Sequence, residues 1–239
     1  MIANVALVIP VYDPDEGRFP ALVRRLRKDF AHIVVVDDGS TCGCTAFDFI
    51  KDEVDAVLEH SVNRGKGAAL KTAFAWVREK LPDALGVVTV DGDGQHAPED
   101  VLSVAEELLR APDGGLVLGV RSFGRDVPFR SRFGNLWTRG LFRMLTGLVV
   151  SDTQTGLRGI PAYLLPRILL IHGNRYEYEI RMLADTRHHQ APPREVPIRA
   201  IYLNGNSASH YRPLRDTLLT QSALWGCCLR RGSEPQKGG

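Results

Sequence analysis

Five short segments in the first half of the chain are almost entirely apolar, and turn-forming residues bound them. They are predicted to be strands: Val5–Pro10, Ile33–Val36, Ala56–Glu59, Gly86–Val90 and Leu116–Val120. Strands with one solvent-exposed face alternate apolar and polar residues, whereas continuous apolar runs are typical of a mostly parallel sheet that is covered on both faces. This feature constrains the fold most, because it requires helices on both sides of the sheet.

Amphipathic helices are predicted between these strands. Residues 67–80 show the spacing of one helical face, with apolar side chains at Leu70, Ala73, Phe74 and Val77. The predicted helices are Glu16–Asp29, Gly67–Lys80 and Pro98–Arg110, the last of which opens with proline and acidic residues. Strands that alternate with helices in this way predict a single α/β domain with a doubly wound, mostly parallel sheet.

Composition excludes several classes of protein. The chain has 239 residues, 44% of them hydrophobic and 24% charged, as in an ordinary globular domain. A net charge of +2 gives no electrostatic reason to expect nucleic-acid binding. No apolar run approaches the roughly 18 residues of a spanning helix, and the N-terminus lacks a basic leader. Two close pairs of cysteines predict reduced thiols in a cytoplasmic protein: Cys42 with Cys44, and Cys227 with Cys228.

Acidic residues follow three of the predicted strands. Asp13 follows the first strand, Asp37 and Asp38 follow the second, and Asp91 and Asp93 follow the fourth. Ligands of doubly wound sheets bind beyond the carboxyl ends of the strands, so these side chains should crowd one rim. Two carboxylates about 4 Å apart repel each other by roughly 4 kcal/mol at an effective dielectric near 20. We therefore expect a positive group at this rim.

The segment after the fourth strand has the chemistry of a metal site. Asp91, Asp93 and Gln95 are spaced two residues apart, so they project to one side of an extended chain, and Gly92 lets a ligand approach the backbone. Carboxylate and amide oxygens suit Mg²⁺ or Mn²⁺, with phosphates and water completing the coordination. A polar turn without a metal, and a phosphatase with the first aspartate as nucleophile, are the alternative interpretations.

Several further motifs stand in a characteristic order along the chain. In the first half they are Pro10–Asp13, Val34–Ser40, Asn63–Leu70 and Asp91–His96. In the second half they are Gly119–Arg121, Ser131–Asn135, Asp152–Gly159 and Ser209–Pro213. Together, over residues 4 to about 216, the chain resembles family 2 of the inverting glycosyltransferases, and most of all its polyprenyl- and dolichyl-phosphate sugar transferases. The resemblance implies a GT-A fold, a nucleotide-diphosphate sugar donor and a divalent cation, Mg²⁺ or Mn²⁺.

The resemblance assigns roles to residues at the predicted rim. It places the nucleotide sugar against Pro10, Tyr12, Asp13, Asp38, Lys66, Gly67, Asp91 and Gly92. It makes Asp91, Asp93 and Gln95 the metal ligands and gives Asp93 a catalytic role. The first motif commonly reads P-x-Y-N-E in the family, whereas Asp13 and Pro14 follow Tyr12 here, with Asp15 or Glu16 as the candidate substitute for the glutamate.

Arginines dominate the start of the second half. Between residues 121 and 143 there is one acid, Asp126, and six arginines: Arg121, Arg125, Arg130, Arg132, Arg139 and Arg143. The planar guanidinium suits phosphate, although a solvated basic face is the simpler interpretation of a charge run. The resemblance makes Arg121 a catalytic contact of the sugar or diphosphate. It places Arg130 and Arg132 at an acceptor phosphate, with His210 and Arg212 as further phosphate contacts.

The acceptor decides whether a general base is needed. A hydroxyl acceptor requires a carboxylate within hydrogen-bond reach, and Asp152 and Glu177 are the predicted candidates. A lipid phosphate is already mostly ionised, because its second pKa is near 6. We predict a polyprenyl phosphate acceptor. The alternatives are transfer to a saccharide or protein hydroxyl, and a non-catalytic protein that binds sugar nucleotides.

One glycosyltransferase domain is predicted over residues 1–216, with a nucleotide-sugar-binding half at 1–120 and an acceptor half at 121–216. Residues 217–239 are predicted to form an amphipathic segment and a disordered tail. Polar residues interrupt the apolar stretch Leu214–Leu229, which can therefore lie on a membrane but should not span it. We expect a cytoplasmic protein that is peripheral at the cytoplasmic membrane face.

Overall fold

A seven-stranded sheet forms the centre of the computed structural model, which describes residues 1–41, 43, 45–121, 140, 142–188 and 191–199. The strands are β1 (Ile2–Val11), β2 (Phe30–Asp37), β3 (Ala56–Glu59), β4 (Gly86–Thr89), β5 (Val117–Arg121), β6 (Arg158–Pro161) and β7 (Arg194–Ile198). Their order across the sheet is β3-β2-β1-β4-β6-β5-β7.

All of these strands except β6 run in the same direction. The carboxyl ends of β1, β2, β4 and β5 therefore meet the amino end of β6 at one edge, which we call the upper edge. Strand β2 lies on one side of β1 and β4 lies on the other, so the strand order reverses at β1. Binding sites of open α/β sheets lie beyond the carboxyl ends of the strands at such a point.

Helices cover both faces of the sheet. They are α1 (Arg18–Arg27), α2 (Lys66–Lys80), α3 (Pro98–Arg110), α4 (Leu165–Ile168) and α5 (Glu177–Asp185), with 3-10 helices at Thr45–Glu53, Ala162–Leu164 and Thr186–His188. Successive residues of a strand point to opposite faces. Leu7 and Ile9 of β1 accordingly pack in one core with α1 and α3, whereas Ala6 and Val8 pack in a second core with α2 and α5.

The predicted fold class is confirmed, and so are the predicted elements of the first half. The observed ends of those strands and helices differ from the predicted ones by no more than three residues. Strands β6 and β7 were not predicted. Strand β6 reads Arg-Gly-Ile-Pro and takes the last two residues of the predicted loop Asp152–Gly159, yet all four of its residues are buried because it pairs with β4 and β5.

Some of the predicted residues lie outside the part of the chain that the structure describes. They are the segment 217–239, the four cysteines, the motifs Ser131–Asn135 and Ser209–Pro213, the residues Arg125, Asp126 and Arg139 of the arginine-rich stretch, and the predicted acceptor-phosphate residues Arg130, Arg132, His210 and Arg212. Within the described part, every helix is too short or too polar to cross a bilayer.

Candidate active site

The Asp91 carboxylate lies at the upper edge, two residues beyond the end of β4. Thr89 lies opposite Arg158 where β4 pairs with β6, and its hydroxyl donates a hydrogen bond to the carbonyl oxygen of Gly156 (2.7 Å). This pairing brings the segment before β6 alongside Asp91. A Cβ added to Gly156 would overlap Asp91 Oδ2 and lie 2.8 Å from Cγ. The carboxylate therefore packs on bare backbone, and glycine at 156 leaves room for it.

Lys66 joins the Asp91 carboxylate to a second carboxylate, that of Glu179. Its Nζ lies 2.6 Å from Asp91 Oδ1 and 3.0 Å from Glu179 Oε2, and its side chain is 16% exposed. Burial alone would lower the pKa of Lys66, but the charges of the two carboxylates outweigh it and raise the pKa above its ordinary value. Burial alone would raise the pKa of Asp91, but Lys66 and His96 outweigh it and lower the pKa. The three groups therefore form a charged cluster, one cation between two anions.

Two glycines place Lys66 at the start of α2. Gly65 has φ +99°, and a Cβ there would lie 2.5 Å from the carbonyl oxygen of Asn174. A Cβ on Gly67 would lie 2.6 Å from the Cβ of Tyr178. The backbone of this loop thus packs directly on the start of α5, at distances that any side chain would prevent. The R-G-K-G sequence is explained by this contact, which holds Lys66 beside Glu179.

Asp93 and His96 complete the segment after β4. Burial raises the pKa of Asp93, and the charge of Asp91 raises it further, while a hydrogen bond from the backbone N–H of Gln95 (2.9 Å) opposes the increase. His96 Nε2 lies 3.5 Å from Asp91 Oδ2. Within the described residues, no group of three or more His, Cys, Asp or Glu side chains is arranged to hold a metal ion. Two carboxylates nevertheless match the usual protein contribution to Mg²⁺, which takes its remaining ligands from substrate phosphates and water.

The two predicted general bases are both bonded to the protein. Asp152, which is fully buried, accepts hydrogen bonds from Arg121 Nε (2.8 Å) and Nη2 (3.3 Å) and from the backbone N–H of Gln154 (3.0 Å). Glu177 Oε1 accepts the backbone N–H groups of residues 174 and 175, at 3.0 and 3.3 Å. Glu177 therefore stabilises the turn before α5 through Oε1, while its buried Oε2 has no hydrogen-bond partner among the described residues, and its role as a base stays a prediction. The glutamate beside Lys66 is Glu179, whereas Glu177 is the one predicted as a base.

Arg158 is a second residue that the sequence analysis did not single out. Its guanidinium is buried and donates to the carbonyl oxygens of Thr155 (2.9 Å) and Glu179 (2.6 Å), so it ties the loop before β6 to α5. Burial lowers the pKa of Arg158, while nearby carboxylates oppose the decrease. Among the described residues, the carboxylates of the site outnumber its arginine and lysine side chains by four to three: Asp91, Asp93, Asp152 and Glu179 against Lys66, Arg121 and Arg158.

The residues predicted to contact the nucleobase and ribose of the donor lie where β1 and β2 end. Asp13 has φ +47°, accepts a hydrogen bond from the backbone N–H of Thr41 (2.7 Å) and donates its own N–H to Ser40 Oγ (2.9 Å). Pro10 is the penultimate residue of β1 and Tyr12 directly follows that strand. Asp38 is only 3% exposed, and its oxygens accept the backbone N–H groups of residues 64 and 65 at 2.9 and 2.7 Å. Each of these contacts of Asp38 is to the protein itself.

The two candidate substitutes for the family glutamate have structural partners. Asp15 Oδ1 accepts the backbone N–H groups of Gly17 (3.0 Å) and Arg18 (2.8 Å) at the start of α1, and Glu16 Oε1 accepts that of Thr45 (3.1 Å). Both carboxylates therefore stabilise local backbone.

Comparison with known proteins shows which family the chain is similar to. Residues 6–160 match the family model described as glycosyl transferase family 2. The chain is 27% identical over 223 residues to the UDP-N-acetylglucosamine–dolichyl-phosphate N-acetylglucosaminyltransferase of Methanococcus voltae, a match that covers 83% of this chain and 86% of the relative. It is 31% identical over 206 residues to the undecaprenyl-phosphate mannosyltransferase of Micrococcus luteus, with 82% of each chain covered.

Solved structures resemble the fold as well. Glucosyl-3-phosphoglycerate synthase from Mycobacterium tuberculosis, in complex with Mn²⁺, UDP and phosphoglyceric acid, superposes with a TM-score of 0.70 at 20% identity, covering 98% of this chain and 80% of that chain. This likeness confirms the predicted GT-A-like fold. The family match over most of the chain, together with relatives at this level of identity, shows that the chain belongs to glycosyl transferase family 2 and is, as the motifs predicted, a nucleotide-sugar glycosyltransferase.

Proposed function

We propose that this glycosyltransferase moves a sugar from a nucleotide-diphosphate sugar to a polyprenyl phosphate, with inversion at the anomeric carbon and with the help of a divalent cation. The observation that carries the proposal is the cluster of Asp91, Lys66 and Glu179 beside Asp93 at the upper edge. The names of two relatives support the acceptor, since they are transferases acting on dolichyl phosphate and undecaprenyl phosphate.

Asp91 and Asp93 would hold Mg²⁺ or Mn²⁺, with Gln95 as the predicted third ligand. The residues present fit such an ion, because Asp91 and Asp93 offer two carboxylates directly after β4 and because burial beside Asp91 disfavours a charge on Asp93 in its absence. A bound cation supplies positive charge where the diphosphate leaves. Similar solved structures contain Mn²⁺ or Mg²⁺ together with UDP.

The chain's own residues would orient the donor. Lys66 is held at the amino end of α2, within reach of Asp91, and can offer N–H donors to the diphosphate. Pro10, Tyr12 and Asp13 lie at the carboxyl end of β1, where they can contact the nucleobase. Arg121, at the carboxyl end of β5, is held by Asp152. The predicted donor contacts Gly67 and Gly92 pack against protein instead, since a Cβ would lie 2.6 Å from the Cβ of Tyr178 at the first and 2.9 Å from Val11 Cγ1 at the second.

We propose an acceptor that is already ionised, because such an acceptor needs no general base. Asp152 is paired with Arg121, and Glu177 Oε1 accepts backbone N–H groups while its buried Oε2 has no hydrogen-bond partner among the described residues. A phosphate oxygen would form the new bond to the anomeric carbon while the bond to the donor diphosphate breaks, and no proton transfer is required. Arg130, Arg132, His210 and Arg212 are the proposed phosphate contacts. We propose that the reaction occurs at the cytoplasmic membrane face, with the protein peripheral there.

The metal role is tested by Asp93→Ala. We expect sugar transfer and Mn²⁺-dependent binding of UDP or GDP to be lost while the thermal unfolding midpoint changes little. Asp83→Ala, an exposed aspartate before β4, is the matched control and should behave as wild type. Unchanged turnover in Asp93→Ala would refute the metal role. Donor binding without turnover in the wild-type protein, with every acceptor class tried, would favour the non-catalytic alternative.

The acceptor is tested by replacing Arg130 and Arg132 with alanine together. We expect the KM for polyprenyl phosphate in detergent micelles to rise much more than the dissociation constant of the donor, because each arginine would lose a charge-assisted bond to phosphate. The exposed pair Arg24 and Arg25 of α1, replaced in the same way, is the control. A larger loss of donor binding, or efficient transfer to a saccharide or peptide hydroxyl, would contradict the lipid-phosphate acceptor.

A further inference from the structure

A buried histidine, His60, lies directly beyond β3 and belongs to none of the sequence motifs. Its ring Nδ1 is 2.7 Å from Asp38 Oδ1, and its Nε2 is 2.9 Å from Thr72 Oγ1 of α2. A carboxylate oxygen accepts, so Nδ1 donates in the first bond, and Nε2 shares the second bond with the hydroxyl of Thr72. The ring therefore connects the end of β2 to the side of α2.

The Asp38 carboxylate in turn holds the backbone of the loop that precedes α2. Oδ1 accepts the N–H of Arg64 and Oδ2 accepts the N–H of Gly65, so both carboxylate oxygens hold that loop. Charge-assisted bonds of this kind are the strong ones. The next residue is Lys66, whose Nζ lies 2.6 Å from Asp91. A chain of contacts thus runs from His60 through Asp38 and the loop backbone to the charged cluster.

We propose that His60 is a positioning residue for the donor site: it locks the Asp38 carboxylate in the orientation that shapes residues 64–65 and so fixes Lys66. A carboxylate that loses the ring N–H keeps its backbone partners but gains freedom to rotate about its side-chain torsions. The loop cannot shift to accommodate such a rotation, because Gly65 and Gly67 pack against the start of α5 without room for a Cβ. The part of this inference that concerns donor affinity rests on the proposed function.

Two polar substitutions separate the two bonds of the ring. The side-chain amide of H60N lies near the position of Nδ1 and can still donate to Asp38, whereas the amide of H60Q reaches the position of Nε2 and keeps only the contact with Thr72. We expect H60Q to raise the KM for the nucleotide sugar about tenfold with a smaller change in kcat, as the loss of a hydrogen bond to a charged group implies. H60N and T72V each lose only the bond between residues 60 and 72 and should raise that KM about threefold or less.

Hydrogen exchange supplies a readout that does not depend on activity. Exchange of the amides of residues 64 and 65 should accelerate in H60Q and stay near wild type in H60N, with α3 unchanged in both. H32Q, at a partly exposed histidine of β2, is the matched control and should change neither KM nor loop exchange. Equal effects of H60N and H60Q on both readouts, or wild-type behaviour of H60Q, would overturn the inference. If the wild-type protein transferred no sugar, the proposed function would fail, while loop exchange and Mn²⁺-dependent UDP binding would still decide the role of His60.

Discussion

Replacement of Gly156 by alanine should displace the Asp91 carboxylate without disturbing the fold. The added Cβ would overlap Oδ2 of Asp91 and lie 2.8 Å from both Cγ and Oδ1. Gly156 is not among the residues with positive φ, so its backbone accepts alanine. The overlapping atoms form the end of a rotatable side chain, and ordinary contact is restored when the carboxylate moves by about 1 Å. The carboxylate should therefore yield before the backbone does.

The consequences differ in size for stability and for binding. A shift of about 1 Å takes Lys66 Nζ and Asp91 Oδ1, now 2.6 Å apart, out of hydrogen-bond range. Overpacking lowers the free energy of unfolding by about 1–3 kcal/mol. We expect the low end, about 1 kcal/mol, because the overlapping carboxylate can rotate. In a domain of this size, that loss lowers the Tm by about 2–4 °C. Mutation of residues that hydrogen-bond to metal ligands typically lowers metal affinity about 10–100-fold. Because Gly156→Ala moves a proposed metal ligand itself, we expect Mn²⁺-dependent nucleotide affinity to fall by the upper end of this range, about 100-fold.

Calorimetric titration of UDP and GDP in the presence of Mn²⁺, together with thermal unfolding, measures both effects. Gly17→Ala is the matched control, because its Cβ would lie at an ordinary contact distance of 3.6 Å from Asp15 Oδ1, away from the site. It should bind nucleotide as wild type does. Wild-type affinity in Gly156→Ala would refute the assignment of Asp91 to the metal and diphosphate. A fall in Tm far beyond the expected few degrees would refute the argument that the carboxylate alone moves.

Three further outcomes are expected. Asp152→Asn should destabilise the protein by about 1.5–3 kcal/mol in chemical denaturation, because it weakens charged hydrogen bonds with Arg121; a change below 0.5 kcal/mol, on the order expected of an unimportant surface site, would contradict the pairing. Gly67→Ala should cost about 1–3 kcal/mol, since its Cβ would lie 2.6 Å from the Cβ of Tyr178; retained stability would show that α5 moves away readily. Asp15→Ala should cost about 1 kcal/mol at pH 7 through loss of its bonds to the start of α1. Those bonds lower the pKa of Asp15 below its ordinary value of 3.8. The stability difference between wild type and Asp15→Ala should therefore persist above that pH and shrink as the pH falls below it. A difference that stays constant down to about pH 2 would contradict this explanation.

The sequence by itself determined the fold class and the edge of the sheet on which the chemistry lies. Continuous apolar strands with amphipathic helices between them leave a two-sided sheet as the arrangement that buries them all. A residue that directly follows a parallel strand must lie at its carboxyl end, so Asp91 and Asp93 could be placed before the rest of the fold was known. The same local reasoning began a helix at Gly67, directly after Lys66, which the structure makes the first residue of that helix.

Only the tertiary structure decided which side chains meet at that edge. Glu177 and Glu179 both lie in the first turn of α5, and about 100° of rotation per residue separates their directions by about 200°. The docking of α5 against Gly65 and Gly67 determines which of the two approaches Lys66. The antiparallel pairing of β6 with β4 likewise places Arg158 beside α5 at the site. The sequence of β6 has no apolar pattern from which this strand could have been predicted. Sequence periodicity records which face of an element is apolar, but partners that are distant along the chain are chosen by how those faces pack.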